Sequence, residues 1–265
     1  MHNIPDDLPD AVSRDEVPQI AAALLERLRA RSPRVHCITN TVAQNFTANA
    51  LLAVACVPSM TLSGEEIAAF VARSQALLVN LGTFDRERRE AIEIAVQTAS
   101  QDHVPWVLDP VFIDRAPPRA AFARELVTRA PKAIRLNHNE FLALAGARPA
   151  RETLTGYARA NKITLGLSGE TDLVADGERL AAIANGHPLM AKVTAMGCAA
   201  SALIAACLGV EPDVWRATAA ALLMIGVAGE LAADKAQGPG SFAVAIIDAL
   251  YNLDGPALIA HARVT

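Results

Sequence analysis

Ala76-Leu77-Leu78-Val79-Asn80-Leu81-Gly82-Thr83 is a short apolar run that breaks into polar and glycine residues. A strand of this length without polar residues at alternate positions is buried on both faces, as in a parallel sheet covered by helices. The same unit recurs along the chain. Val35 to Ile38 leads into Asn40, Trp106 to Leu108 into Asp109-Pro110, Ala133 to Leu136 into Asn137-His138-Asn139-Glu140, and Ile163 to Leu167 into Ser168-Gly169-Glu170. Helical stripes lie among these runs. Ile20, Leu24, Leu25 and Leu28 form one, and Ile92, Ala95, Val96 and Ala99 another, at the spacing of an amphipathic helix. Strand alternating with helix predicts an α/β fold with a central, mostly parallel sheet covered by helices on both faces.

One segment departs from this alternation. Two short apolar runs within Asp172 to Ile183 flank Asp176-Gly177, a pair suited to a type I′ turn, and predict a local antiparallel hairpin. Three long helices are expected after it, near 198–209, 212–235 and 241–252, then a last strand near Leu258 to Val264. A length of 265 residues suits one large domain over 1–265. Met1 to Asp15 is polar and acidic, lacks the features of a signal peptide, and is expected to be a flexible N-terminal segment.

Composition excludes several function classes. A net charge of −4 with no extended basic run argues against a nucleic-acid partner. Val193 to Val210 is uncharged but alanine-rich, with Thr194, Gly197, Ser201 and Gly209 interrupting it, so a buried helix rather than a membrane span is expected. Cys37, Cys56, Cys198 and Cys207 have neither metal-site spacing nor disulfide-scaffold density, and predict reduced thiols in a cytoplasmic protein.

In an open α/β sheet ligands bind beyond the carboxyl ends of the strands, and here those ends carry functional residue types. Asp109 and Glu140, on neighbouring strand ends, could hold Mg²⁺ beside a phosphate chain. Each also has a structural alternative: Asp109 before Pro110 suits a turn, and Asn137 with Glu140 fits a capping box. Val193-Thr194-Ala195-Met196-Gly197-Cys198 is a turn into an apolar helix, whose first amides could stabilise charge on a transferred phosphoryl group. Cys198 would lie at the mouth of that site, where the helix N-terminus is expected to lower its pKa.

At this point the residues resemble a known family. Arg34-Val35-His36-Cys37-Ile38-Thr39-Asn40 followed by Asn45 to Ala53 is similar to the N-terminal signature of hydroxyethylthiazole kinases, and the later blocks through Gly238-Pro239-Gly240-Ser241-Phe242 follow in the same order. The resemblance implies a ribokinase-like fold and phosphorylation of the primary hydroxyl of 5-(2-hydroxyethyl)-4-methylthiazole with Mg²⁺ and ATP, in a homotrimer with its sites between subunits. It assigns Asn40, Met60, Gly82 and Ala195 to the thiazole alcohol, Arg135 and Ser168 to ATP, Asp109 and Glu140 to the metal, and Gly197 and Cys198 to the reacting centre.

The chain departs from the family pattern near this site. Ala195 stands where the family's phosphate-binding turn has a glycine, which costs about 1–2 kcal/mol if that position needs a positive φ. Phe112-Ile113-Asp114-Arg115 replaces a glycine-rich run after Asp109-Pro110-Val111, and the stretch between Gly146 and Lys162 is shorter than usual. The residues alone therefore leave three readings: a thiazole kinase, a kinase for another small alcohol, or a non-catalytic binding homologue.

Overall fold

The computed structural model describes residues 16–265; the expected N-terminal segment 1–15 lies outside the described residues. The chain runs α1 (Glu16–Arg31), β1 (Arg34–Ile38), α2 (Gln44–Ala53), β2 (Val57–Ser59), α3 (Ile67–Ala72), β3 (Ala76–Asn80), α4 (Arg86–Gln101), β4 (Trp106–Asp109), α5 (Pro117–Val127), β5 (Ala133–Asn137), α6 (His138–Ala145), α7 (Arg151–Asn161) and β6 (Thr164–Ser168). It continues with β7 (Asp172–Ala175), β8 (Leu180–Ile183), α8 (Met196–Leu208), α9 (Val214–Ala233), α10 (Pro239–Asn252) and α11 (Gly255–His261).

Among the described residues the eight strands form one sheet in the order β2-β1-β3-β4-β5-β6-β7-β8. The pairings from β2 through β6 are parallel, and β7 and β8 add an antiparallel hairpin. Successive strand residues serve opposite layers. Ala76 and Leu78 pack into a core with α1, α2, α8, α9 and α10, whereas Leu77 and Val79 pack into a second core with α3 to α7. This double burial is why the strands read as continuous apolar runs. The α4 stripe is fully buried, and in α1 Leu24, Leu25 and Leu28 are buried while Ile20 is half-buried against the same core. Within Val193 to Val210, α8 is a buried core helix; α9 is long and apolar enough to cross a membrane but is likewise mostly buried.

Two expectations need correction, and one strand lies outside them. The β7–β8 connection does not use a type I′ turn, because Gly177 is not at positive φ. Instead Asp176 Oδ1 accepts from the amides of Glu178 at 2.8 Å and Arg179 at 2.6 Å, so a side chain makes the turn that backbone chirality was expected to make. The expected strand at Leu258 to Val264 is mostly helix α11, capped by Asp254 with Pro256 in its first turn. Only Val264 bridges to Ile183 of β8. Finally, β2 was not anticipated: three residues on a sheet edge, one of them Pro58, carry too little pattern to be legible.

The C-terminal helices are locked to the sheet at Gly226 of α9. A methyl group there would lie 2.8 Å from both Cβ and the carbonyl oxygen of Asn185. Asn185 cannot easily yield, because its side chain bonds Glu230, the His261 carbonyl and the Arg263 amide. Gly226→Ala gains about 1 kcal/mol of helix propensity but incurs about 1–3 kcal/mol of overpacking against backbone. Overpacking should dominate, and thermal unfolding of this variant is expected to show a lower Tm; an unchanged or raised Tm would mean that the contact can relax.

Candidate active site

A cavity of about 1190 Å³ opens over the carboxyl ends of the parallel strands and the N-terminus of α8. Asn40, Gly82, Asp109, Arg135, Glu140, Ser168, Ala195, Gly197 and Cys198 all line it. Strand register accounts for much of this convergence: Asn80 pairs with Asp109 across β3 and β4, and Asn137 with Ser168 across β5 and β6. Met60 is the exception. It follows the edge strand β2, is half-buried against the α1/α8/α9 core, and does not line this cavity.

Asp109 is the centre of a buried polar network. Its Oδ2 accepts from Asn80 Nδ2 at 2.6 Å and from Ser201 Oγ at 2.9 Å, while Oδ1 is buried without a partner among the described residues. Burial pushes its pKa up to about 6; Arg135 opposes that shift and Glu140 adds to it. Asn80 also donates to Cys198 Sγ at 3.3 Å, as does Asn40 at the same distance. Gly82 makes room for this cluster, since a Cβ there would come within 2.7 Å of Asn40 Cβ.

Glu140 fulfils its structural expectation and adds to it. Asn137 and Glu140 form the capping box of α6, with Glu140 Oε2 accepting from Asn137 N at 2.8 Å. Its Oε1 accepts from Phe112 N at 2.9 Å. The carbonyl of that same peptide unit, on Val111, accepts from Arg119 Nη1 at 2.8 Å. A carboxylate and a guanidinium thus grip one peptide from its two ends, at a turn where Phe112 has φ +57°. Each oxygen of a carboxylate keeps lone-pair capacity beyond one hydrogen bond, so Glu140 can hold the loop and still face a cation.

Arg135 and the start of α8 form the opposite wall. Arg135 Nε donates to Ser168 Oγ at 2.9 Å, and it forms no ion pair among the described residues. Its guanidinium lies so close to Gly197 that a Cβ there would meet Nη1 at 2.5 Å. Ala195, the N-cap residue, offers no capping side chain, and the first bond of the helix runs from Ala199 N to the Ala195 carbonyl. The amides of Met196, Gly197 and Cys198 are therefore left to the cavity. A guanidinium set against the positive end of a helix is unfavourable by itself and becomes favourable when an anion lies between them.

Ala195 has φ +70°, so alanine keeps the turn that glycine would make and carries the conformational cost. Phe112 is left-handed too, and Thr83 at φ +48° is a third such residue on the cavity wall. The expectation for Cys198 is corrected. Its pKa is raised to about 11, first by burial and then by Asp109, so it is a neutral thiol at physiological pH. The sequence marks Asn80 as a strand-end residue without giving it a role, and does not mark Ser201 or Arg119 as site residues. Asn80 ends an apolar strand as Asn40 nearly does, which was a usable signal; Ser201 lies one helical turn past Gly197, inside an alanine run that gave none.

The model of the hydroxyethylthiazole kinase family matches residues 25–255. A probable hydroxyethylthiazole kinase from Agrobacterium fabrum is 44% identical, over 92% of this chain and 94% of its own length. The hydroxyethylthiazole kinase of Granulibacter bethesdensis is 42% identical over 94% of this chain and 98% of its own. Among solved structures, the hydroxyethylthiazole kinase protein from Pyrococcus horikoshii superposes with a TM-score of 0.90 at 35% identity, covering 93% of this chain and 98% of that one. A ribokinase-like superfamily protein from Enterococcus faecalis, 13% identical with a TM-score of 0.68 over 95% of this chain and 100% of that one, shares the fold.

Two outcomes follow from the site itself. Ala195→Gly removes about 1–2 kcal/mol of left-handed strain and gives back about 0.4–1 kcal/mol through a more flexible unfolded chain. A small net gain in denaturant stability is expected, and a loss would show that the alanine methyl packs favourably. Iodoacetamide labelling of Cys198, followed by peptide mass analysis, should be slow at pH 7.5 and rise with pH to about 10, because only the thiolate reacts. A rate that levels off below pH 8 would contradict a raised thiol pKa.

Proposed function

The chain belongs to the hydroxyethylthiazole kinase family, and on that premise we propose that this cavity transfers the γ-phosphoryl group of ATP to the primary hydroxyl of 5-(2-hydroxyethyl)-4-methylthiazole, a step of thiamine salvage. The observation that carries the assignment of the site is the approach of Arg135, without a carboxylate partner, to the uncapped N-terminus of α8. Two positive features in contact favour a polyanion between them, and a nucleotide phosphate chain meets that requirement.

The alcohol oxygen bonds to the γ-phosphorus, the bond from that phosphorus to ADP breaks, and the hydroxyl proton is released. Phosphoryl transfer of this kind has a loose transition state, so positioning and charge neutralisation matter more than a strong base. Arg135, held by Ser168, and the amides of Met196 to Cys198 stabilise the transferring oxygens. Asn40, Gly82, Ala195 and neutral Cys198 border the reacting hydroxyl. A neutral thiol is a weak proton acceptor, so Cys198 acts as a contact and not as the base.

Mg²⁺ suits this donor set. It binds through one or two carboxylates, with water and phosphate oxygens completing its shell. Asp109 offers a buried oxygen without a partner, and Glu140 a second carboxylate near it. When bound, the ion neutralises charge on the phosphate chain. The homotrimer is part of the same reading. Leu52, Val57 and Val244 are exposed on α2, β2 and α10, which pack side by side, and Met60 follows β2 on that flank, where a neighbouring subunit would bring it to a thiazole.

Coupled assays with the thiazole alcohol and ATP should register ADP release that requires both the alcohol and Mg²⁺; no turnover at saturating concentrations would remove the reading. Asp109→Asn is expected to lower kcat by about 100-fold or more, a magnitude typical of losing one strong electrostatic contact. Met60→Ala should raise KM for the alcohol more than for ATP. Light scattering should give about three times the 27.9 kDa chain mass, and a monomeric mass would exclude the shared site.

A further inference from the structure

Arg119 is a charged group on the cavity wall that the mechanism above does not use. It lies in the first turn of α5, is half-buried, and lines the cavity with Asp109, Arg135 and Glu140. Its Nη1 donates to the Val111 carbonyl at 2.8 Å, its Nε is buried without a partner, and it takes part in no ion pair among the described residues. Burial moves its pKa below the ordinary arginine value, the direction expected of a cation that has lost water without gaining a counter-charge.

Such an arrangement is costly unless something compensates it. A guanidinium remains charged at any physiological pH and presents five N–H donors in a rigid fork. One of these is committed to Val111 and fixes the fork, while the rest of Nη1 and all of Nη2 are uncommitted. The Val111 carbonyl is itself held in place, because the N–H of the same peptide is bound by Glu140. The side chain is therefore oriented in advance, and the cost of ordering it is met before any ligand arrives. Its anchor Val111 follows β4 and Arg135 belongs to the adjacent β5, so one guanidinium reaches the cavity from α5, held at the end of β4, and the other from the neighbouring strand.

We propose that Arg119 is a second arginine contact for the phosphate chain of the nucleotide, at its terminal-phosphate end, complementing Arg135. This rests on the reading of the cavity as the nucleotide site. A phosphate oxygen would supply the missing counter-charge and take the free donors of the fork.

Calorimetric titration with AMP, ADP and ATP, each with Mg²⁺, of the full chain and of Arg119→Gln and Arg119→Lys tests it. The loss of affinity in the Gln variant should grow with the number of phosphates, reaching tenfold or more for ATP while AMP changes less than twofold. Arg119→Lys, which keeps the charge but not the fork, should fall between. A uniform loss across the three nucleotides would make Arg119 a prop for the Val111–Phe112 turn only, and an unchanged ATP affinity would leave it no role in binding; either result overturns the inference. If the unmodified chain binds none of the three, the nucleotide reading of the cavity fails first, and that outcome is distinct from a defect confined to the variants.

Discussion

Strands β1 and β3 to β6 have no face open to water, and this constraint organises the rest of the molecule. With helices on both sides, neither face can accept a polar side chain without a partner, so polar residues on these strands concentrate where the strands end. Because the strands run parallel, their ends collect at one rim. Asn40, Asn80, Asp109, Asn137 and Ser168 come from distant parts of the chain, and the sheet alone makes them neighbours. The α8 N-terminus then closes that rim with unused amides. Little of the site is built by local structure; most of it follows from shared strand direction and register.

The buried network at Asp109 and the gripped peptide at Val111–Phe112 divide the work of the rim. Asn80 links Asp109 to Cys198 through the two hydrogens of one amide, which fixes the relative positions of a carboxylate and a thiol that belong to different elements. The Glu140 and Arg119 contacts to one peptide hold a loop whose side chains are bulky and whose backbone is left-handed. Rigidity in the first case comes from burial. In the second it comes from two charges acting on a dipole that would otherwise be free to turn.

The sheet was legible because a doubly buried strand leaves an unmistakable apolar run and because parallel order follows from alternation with helices. The strand-end residues were legible for the same reason. Other features rest either on weak local signals or on contacts distant in sequence. Asp176 shows that a side chain can supply a turn without the positive φ that Asp-Gly suggests. The Asp254-Gly255-Pro256 start of α11 was overlooked beside the apolar residues that follow it. Ser201 looked like any small residue in an alanine-rich helix, and its role depends on a carboxylate distant in sequence. The Cys198 pKa was expected to follow the helix N-terminus, but burial and the nearby carboxylate outweigh it, and neither can be weighed before the fold is known. Met60 follows the short edge strand β2 and lies outside the cavity, a placement that its local sequence does not reveal.

Thr83, Phe112 and Ala195 each occupy a backbone conformation that disfavours a side chain, and all three lie around one cavity. At about 1–2 kcal/mol for each such residue, the strain is a sizeable fraction of the roughly 5–15 kcal/mol that separates a folded domain from its unfolded chain. Its consequence reaches beyond the cavity into evolutionary tolerance. A protein that holds this much conformational tension at its rim has a narrower margin for accepting destabilising changes elsewhere, and a glycine at 195 would widen the range of core substitutions that it could tolerate.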